Sequence, residues 1–155
     1  MIKTVILVLT LLAPWAAIAQ QSAKDVCDDM RSLQAEIAPQ LPMQIDYMTQ
    51  LIGFYVFMSS GVCRINYNYL VNTERHIDNV LEYEKANPSG YAAPSRDDVV
   101  ADIAIGGNGR PIFKENVTEQ MRNGMPELFA IRSVIISMKY DFDDNRVASI
   151  FINSR

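Results

Sequence analysis

The sequence predicts an α+β protein in which helices cover one face of an antiparallel sheet of about four strands. Two segments alternate apolar and polar residues with the period of a strand, and the segments around them follow the helical period. Hydrophobic residues make up 49% of the 155 residues and charged residues 21%, which excludes a disordered or low-complexity protein. The length fits one domain.

The start of the chain has the layout of a secretory signal peptide. A short basic start precedes an apolar core at 5–12, and small residues that end at Ala19 suit a cleavage site. The apolar core is shorter than the about 20 residues of a spanning helix. The sequence therefore predicts a signal peptide at 1–19, cleavage before Gln20, and a single α+β domain at 20–155 without stable membrane insertion.

The predicted mature chain is mildly acidic. Its thirteen basic residues face eighteen acidic ones, a net charge of −5 compared with −4 for the full sequence. Nucleic acids and anionic lipids bind positively charged patches, so this charge argues against both as partners. The signal peptide itself predicts a periplasmic or secreted protein.

The chain has two cysteines, Cys27 and Cys63, and both belong to the predicted mature part. An even pair in an exported protein indicates a disulfide. Closing a loop of about 37 residues stabilises the fold by roughly 4 kcal/mol in the chain-entropy model. A redox pair usually has Cys-x-x-Cys spacing, which these residues lack, so we expect a structural bridge.

The first predicted helix begins at Ser22, which forms a capping-box pattern with Asp25 ahead of an amphipathic stripe. Prolines end this helix, and 43–50 is interpreted as a linker. The segment 51–71 then takes the period of a strand, with a turn at Ser59-Ser60-Gly61, and predicts a hairpin. Its odd positions should face the core, which directs Cys63 toward the first helix.

The remaining segments predict further helices followed by a second hairpin. Helical spacing recurs in four places, and Ser95 and Asp98 form another capping-box pattern. The predicted helices cover 73–85, 95–104, 112–124 and 126–131. Alternation then returns at 134–142, a turn follows at 143–145, and a β-branched segment at 147–152 completes the hairpin.

No catalytic set is found in the sequence. The one histidine, His76, would have to serve any Ser-His-Asp or Cys-His arrangement, and no serine lies in a Gly-x-Ser-x-Gly elbow. A zinc site needs three or four suitable ligands, which a single histidine does not anchor. The sequence therefore predicts no catalytic residue, no cofactor and no metal site.

Three patterns are similar to ligand sites, and each has a simpler interpretation. The segment 106–110 lacks the ending of a phosphate loop and is interpreted as a flexible loop whose Arg110 could contact a partner. Asp141, Asp143 and Asp144 could bind calcium, but aspartates are common in turns. Methionines can bind Cu(I), but here they fall on apolar faces typical of a core. They are Met30, Met43, Met48, Met58, Met121, Met125 and Met138.

Several short motifs give the chain a family resemblance. Leu41-Pro42, Asp46 and Thr49 precede a strand, Tyr67-Asn68-Tyr69 lies within one, and 140–144 reads Tyr-Asp-Phe-Asp-Asp. With these motifs the chain resembles small uncharacterised exported proteins of Gram-negative bacteria. The resemblance implies a periplasmic protein and no established activity.

These observations favour a non-catalytic periplasmic protein that binds another protein, such as an immunity or inhibitor factor or an accessory of a secretion system. The alternatives are a cell-envelope hydrolase that acts through carboxylates, and a carrier of a small ligand or metal. An exposed apolar patch or an unpaired strand edge would favour the first function. A cleft with a carboxyl group of raised pKa would favour the second, and methionine sulfurs converging at an accessible point the third.

Overall fold

The computed structural model describes residues 22–88 and 90–155. The predicted signal peptide and its cleavage site between Ala19 and Gln20 lie outside these residues. The strands are β1 (Met43–Gln44), β2 (Thr49–Ser59), β3 (Val62–Val71), β4 (Val134–Phe142) and β5 (Ile150–Asn153). The helices are α1 (Ala23–Ile37), α2 (Thr73–Ala86), α3 (Arg96–Ile103), α4 (Gly109–Gly124) and α5 (Pro126–Ala130).

The described strands form one sheet in the order β1-β2-β3-β4-β5. Neighbours run antiparallel except β3 and β4, which run parallel. The predicted α+β class and both predicted hairpins are confirmed, but the sheet has five strands and its central pair is not antiparallel. Four helices lie between β3 and β4 in the chain, and a crossover of that length allows two strands to pair in parallel.

The additional strand β1 lies within 43–50, where the sequence predicts only a linker. Asp46 Oδ1 accepts hydrogen bonds from the N–H groups of Met48 and Thr49 at 2.8 and 2.9 Å. The Ile45 N–H donates to the Thr49 carbonyl at 2.9 Å, which closes a tight turn. This turn folds the two residues of β1 back onto β2. A strand of two residues has no detectable periodicity, so the sequence pattern gives no signal for it.

The turn between β2 and β3 lies at Ser60 and Gly61, where the sequence predicts it. Both residues have positive φ, 50° and 76° respectively. Two-residue turns with positive φ at both positions match the twist of the flanking strands, and glycine adopts this conformation without strain. The turn sets the register in which Met58 pairs with Cys63.

One face of the sheet packs against α1, α4 and α5 and forms the main core. Strand β3 contributes its odd positions to this face, as predicted, and Cys63 and Ile65 are fully buried. Ile136 from β4 and Ile150 from β5 are buried on the same face. A second cluster forms where α2 and α3 pack beside the loop after β4, and it contains Ile77, Val99, Val100, Ile103 and Val147.

Cys27 and Cys63 stand at disulfide distance and attach α1 to β3. Their Cα atoms are 5.5 Å apart, and the two residues are 36 positions apart in the chain. Both are 0% exposed. The pair fits the predicted structural disulfide, and its burial keeps the sulfur atoms away from any dissolved substrate.

Arg110 is partly buried and bonded to backbone carbonyls, in contrast to the exposed contact that the sequence suggests. The residue lies at the start of α4, and its guanidinium donates to the carbonyls of Ile103 and Ala148 at 3.1 and 2.9 Å, and also to that of Ser149. Two of these carbonyls immediately precede β5. They help to explain why β5 begins at Ile150, three residues later than predicted.

We expect Arg110→Ala to lower the free energy of unfolding by about 2 kcal/mol, because three part-buried carbonyls lose a charged donor. Urea unfolding measures the loss. Arg122→Ala, at an exposed position in the last turn of the same helix, is the matched control and should change stability by less than about 0.5 kcal/mol. Equal effects of the two substitutions would contradict the structural role of Arg110.

Candidate binding face of the sheet

The second face of the sheet carries large apolar side chains that no described helix covers. We call this surface the open face. Its exposed members are Ile52 (38% exposed), Tyr55 (51%) and Phe57 (44%) on β2, and Phe151 (59%) on β5. They alternate with core positions, because successive side chains of a strand point to opposite faces. Strand geometry therefore places apolar residues on both sides of the sheet.

The middle of the open face, on β3 and β4, is mainly polar, with Ile135 beside Arg64. The strand register places Tyr55 beside Asn66, Phe57 beside Arg64, and Phe151 beside Lys139. Neighbouring strands lie about 4.8 Å apart, so the aromatic residues of β2 and β5 flank a polar floor about 14 Å across. The floor consists of Arg64, Asn66, Asn68, Ser137 and Lys139.

Gly53 allows the Tyr55 ring to lie against the strand. A Cβ atom at position 53 would stand 2.8 Å from a ring carbon of Tyr55, closer than real contacts allow. The register between β2 and β3 also shifts between Leu51 and Gly53, which places Ile52 at a bulge. The glycine therefore leaves the space that the exposed Tyr55 ring occupies over the strand.

Arg64 is the one cation of the open face without a carboxylate partner among the described residues. Lys139 pairs with Asp141 at 2.7 Å, and its Nζ lies 5.8 Å from the centroid of the Phe151 ring. Burial alone would raise the pKa of Asp141, but hydrogen bonds from Lys139 and Ser149 outweigh it and lower the pKa. The face therefore has one excess positive charge in a chain whose net charge is −4.

The outer edge of β2 lacks a partner strand over most of its length. β1 pairs only with Gln50 and Leu51, and Pro42, which has no N–H, immediately precedes β1. Within the described chain, 53–59 therefore has no neighbouring strand on its outer side. The Val56 N–H on that side donates to Gln34 Oε1 of α1 at 2.9 Å.

Strand β2 also lacks the charges that usually protect an edge. Its eleven residues include no Asp, Glu, Lys or Arg. Edge strands commonly carry a lysine, a proline or an inward-pointing charge, which prevent another strand from pairing with them. In β2 the Gln34 side chain instead accepts a hydrogen bond from one outward N–H group, that of Val56.

His76 lies on α2, away from the open face, and packs edge-on against Phe142 with ring centroids 6.4 Å apart. Burial lowers its pKa from 6.5. The unfolded chain therefore binds more protons than the folded chain between the lowered pKa and 6.5. The contribution of His76 to stability is complete above pH 6.5 and is lost as the pH falls below it.

We expect wild-type protein to lose stability between about pH 7.5 and about pH 5.5, and His76→Gln to lose less over the same range. Chemical unfolding at the two pH values measures both slopes. The glutamine keeps a polar side chain of similar size but does not titrate, so it separates the protonation from the packing. Identical slopes would show that His76 does not titrate differently on folding.

The three aspartates that the sequence analysis interprets as turn residues, and not as a calcium site, have separate partners. Asp141 pairs with Lys139, and Asp144 binds Arg146 at 2.6 Å. Asp143 accepts the Thr73 N–H at 2.7 Å, at the start of α2. Among the described residues, no group of three or more acidic, histidine or cysteine side chains is arranged to hold a metal ion.

Most of the methionines lie in the main core. Four are buried, two pack against the core, and Met48 is partly exposed. The buried ones are Met30, Met121, Met125 and Met138, and the two partly buried ones are Met43 and Met58. The structure thus distributes the sulfur atoms through the core, where methionine fills irregular gaps.

A shallow pocket of about 480 Å³ lies on the outer side of α2. Two of its lining residues, Asp78 and Glu82, are carboxylates, and Asp78 binds Arg96 at 2.7 Å. Tyr47 closes one side, with the Arg75 guanidinium 4.8 Å above its ring. This ion-paired surface lies apart from the open face.

The open-face residues are absent from the sequence-based predictions, although the sequence contained a signal. The run from Leu51 to Met58 is apolar on both faces of a strand, whereas a sheet covered on one side usually alternates. Phe151 breaks the alternation of β5 in the same way. Large apolar residues at outward positions would have indicated this surface.

No protein-family model and no curated protein matches the chain. Among solved structures, it is similar to a crystal structure described as that of a "putative secreted protein" from Pseudomonas aeruginosa. The identity is 10% and the TM-score 0.42, and the match covers 86% of this chain and 94% of that chain. In the described residues, no helix combines the length and the apolarity that crossing a membrane requires.

Proposed function

We propose that this chain is a non-catalytic periplasmic protein that binds another protein through the open face of its sheet. The observation that carries the proposal is the set of half-exposed aromatic and apolar side chains on the open face, above all Tyr55 and Phe57 on β2. Aromatic residues and arginine are enriched in protein interfaces, and exposed apolar patches bordered by polar residues mark interaction sites.

The chemistry of the open face also fits a protein partner. Arg64 and the amides of Asn66 and Asn68 offer hydrogen-bond donors and acceptors between the aromatic residues. Tyr and Phe bury large areas on a partner while losing few rotamers, which makes them frequent binding hot spots. An immunity or inhibitor factor, or an accessory of a secretion system, would use such a surface.

Export to the periplasm is part of the proposal. A buried cysteine pair at disulfide distance is typical of proteins that fold in an oxidising compartment. The predicted signal peptide points to the same compartment. N-terminal sequencing of the mature product should begin at Gln20, and an intact Met1 would contradict export.

The test is site-specific photo-crosslinking in the producing cell. A benzophenone amino acid replaces Tyr55 or Phe151 on the open face, and Tyr83 or Tyr91 as controls. The control tyrosines are 52% and 88% exposed but lie outside the open face. We expect a discrete crosslinked adduct from the two open-face positions only. Equal adducts from all four positions, or none from Tyr55, would overturn the proposal.

A further inference from the structure

We propose that the free edge of β2 accepts an extended, acidic segment of the partner as an additional strand. This inference rests on the proposed function and adds how the partner binds. Main-chain pairing with an exposed edge is a recurring mode of peptide recognition. In this chain β1 already pairs with β2 in this way, but only at Gln50 and Leu51.

The direction of the backbone groups defines the pairing. Alternate N–H groups of a strand point to opposite sides, and the Val56 N–H points outward to Gln34. The N–H and C=O groups of Phe54 and Met58 share that outward direction. A partner strand that runs antiparallel to β2, as β1 does, would pair with these three residues. The Gln34 amide occupies its place in the free protein.

The two faces of the sheet define the side chains of the partner strand. Residues opposite each other in a ladder point to the same face. Partner residues that pair with Val56 therefore point to the core side, next to Phe54, and should be apolar. The residues between them lie on the open face beside Tyr55 and Phe57.

Charge complementarity selects acidic residues at those open-face positions. β2 has no charge of its own, and Phe57 lies next to Arg64 in the strand register. A glutamate opposite Phe57 would be two strand spacings from Arg64, about 10 Å between backbones, which the two long side chains can span. The occupant is thus an extended segment that alternates apolar and acidic residues.

The probe is a ten-residue synthetic peptide with blocked ends that alternates valine and glutamate. Binding is followed by the amide NMR signals of Phe54, Val56 and Met58. We expect saturable binding that shifts these signals. N-methylation of the valine amides should abolish binding, because those N–H groups face β2. N-methylation of the glutamate amides should change the affinity by less than about twofold, because they face outward.

Two protein variants test the remaining parts of the proposal. Gln34→Ala removes the side chain that competes for the Val56 N–H and should strengthen peptide binding about two- to tenfold. A purely structural glutamine would leave the affinity unchanged. Arg64→Glu should reverse the preference, so that a valine-lysine peptide binds better than the valine-glutamate peptide by about two- to fivefold.

Several outcomes would overturn the proposal. They are the absence of saturable binding, equal effects of the two N-methylated peptides, and an unchanged charge preference in Arg64→Glu. Sedimentation equilibrium that shows a dimer from which the peptide is excluded would assign the edge to a second copy instead. Crosslinking from Tyr55 does not depend on these results, so failure at the edge leaves the proposed function separately testable.

Discussion

Replacing Cys27 and Cys63 together by alanine is expected to lower the free energy of unfolding by about 4 kcal/mol. The bridge closes a segment whose ends are 36 positions apart, and its removal returns that loop entropy to the unfolded chain. Both residues are fully buried, so alanine introduces no polar group into the core. Urea unfolding under non-reducing conditions measures the difference.

Reduction provides the control for the double variant. Wild-type protein that is unfolded and refolded with a reductant should approach the stability of the double alanine variant, because both lack the covalent link. The variant itself should not respond to the reductant. A double variant within about 1 kcal/mol of the oxidised wild type would contradict a stabilising bridge.

Ile136→Ala is expected to lower the free energy of unfolding by about 3 to 4 kcal/mol. The side chain is 1% exposed and belongs to the main core, so truncation removes buried surface and leaves a cavity. Urea or thermal unfolding measures the loss. The prediction depends on the even positions of β4 facing the main core.

Ile135→Ala is the matched control for this prediction. The two isoleucines are neighbours on β4, but Ile135 is partly exposed on the opposite face, beside Arg64. We expect a loss below about 1 kcal/mol, because truncation there leaves no enclosed cavity. A larger loss at Ile135 than at Ile136 would show that the odd positions of β4 face the core. The candidate binding surface would then lie on the other side of the sheet.

Local elements with their own signals were predictable from the sequence. The capping boxes of Ser22 with Asp25 and of Ser95 with Asp98 form where their spacing predicts them, at the starts of α1 and α3. Period-two alternation correctly assigned the odd positions of β3 to the core. In each case the residues that determine the structure lie close together in the sequence.

Contacts between distant segments were not predictable in this way. Arg110 looks like part of a polar loop, yet it binds carbonyls from two other parts of the chain. The parallel pairing of β3 with β4 depends on the packing of the four helices that lie between these two strands in the chain. The observed start of β5 likewise differs from the predicted one, because the carbonyls of Ala148 and Ser149 accept hydrogen bonds from Arg110.

The candidate site shows the same division. Its residues were visible as strand formers, but their exposure depends on which face the helices cover. Arg64 became a candidate only when the register placed it beside Phe57 and the described chain provided no carboxylate for it. The free edge of β2 became visible only when β1 was seen to begin at Met43 and to pair with Gln50 and Leu51 alone.

The sequence by itself determined the α+β class, both hairpins, the turn of the first hairpin and the bounds of most helices. These features follow from backbone preferences and side-chain periods over a few residues, which act before distant segments meet. Only the tertiary structure decided the strand direction at the centre of the sheet, the role of Arg110 and the exposure of the open face. Each of these depends on the free energy of packing segments that are far apart in the chain, which local sequence does not encode.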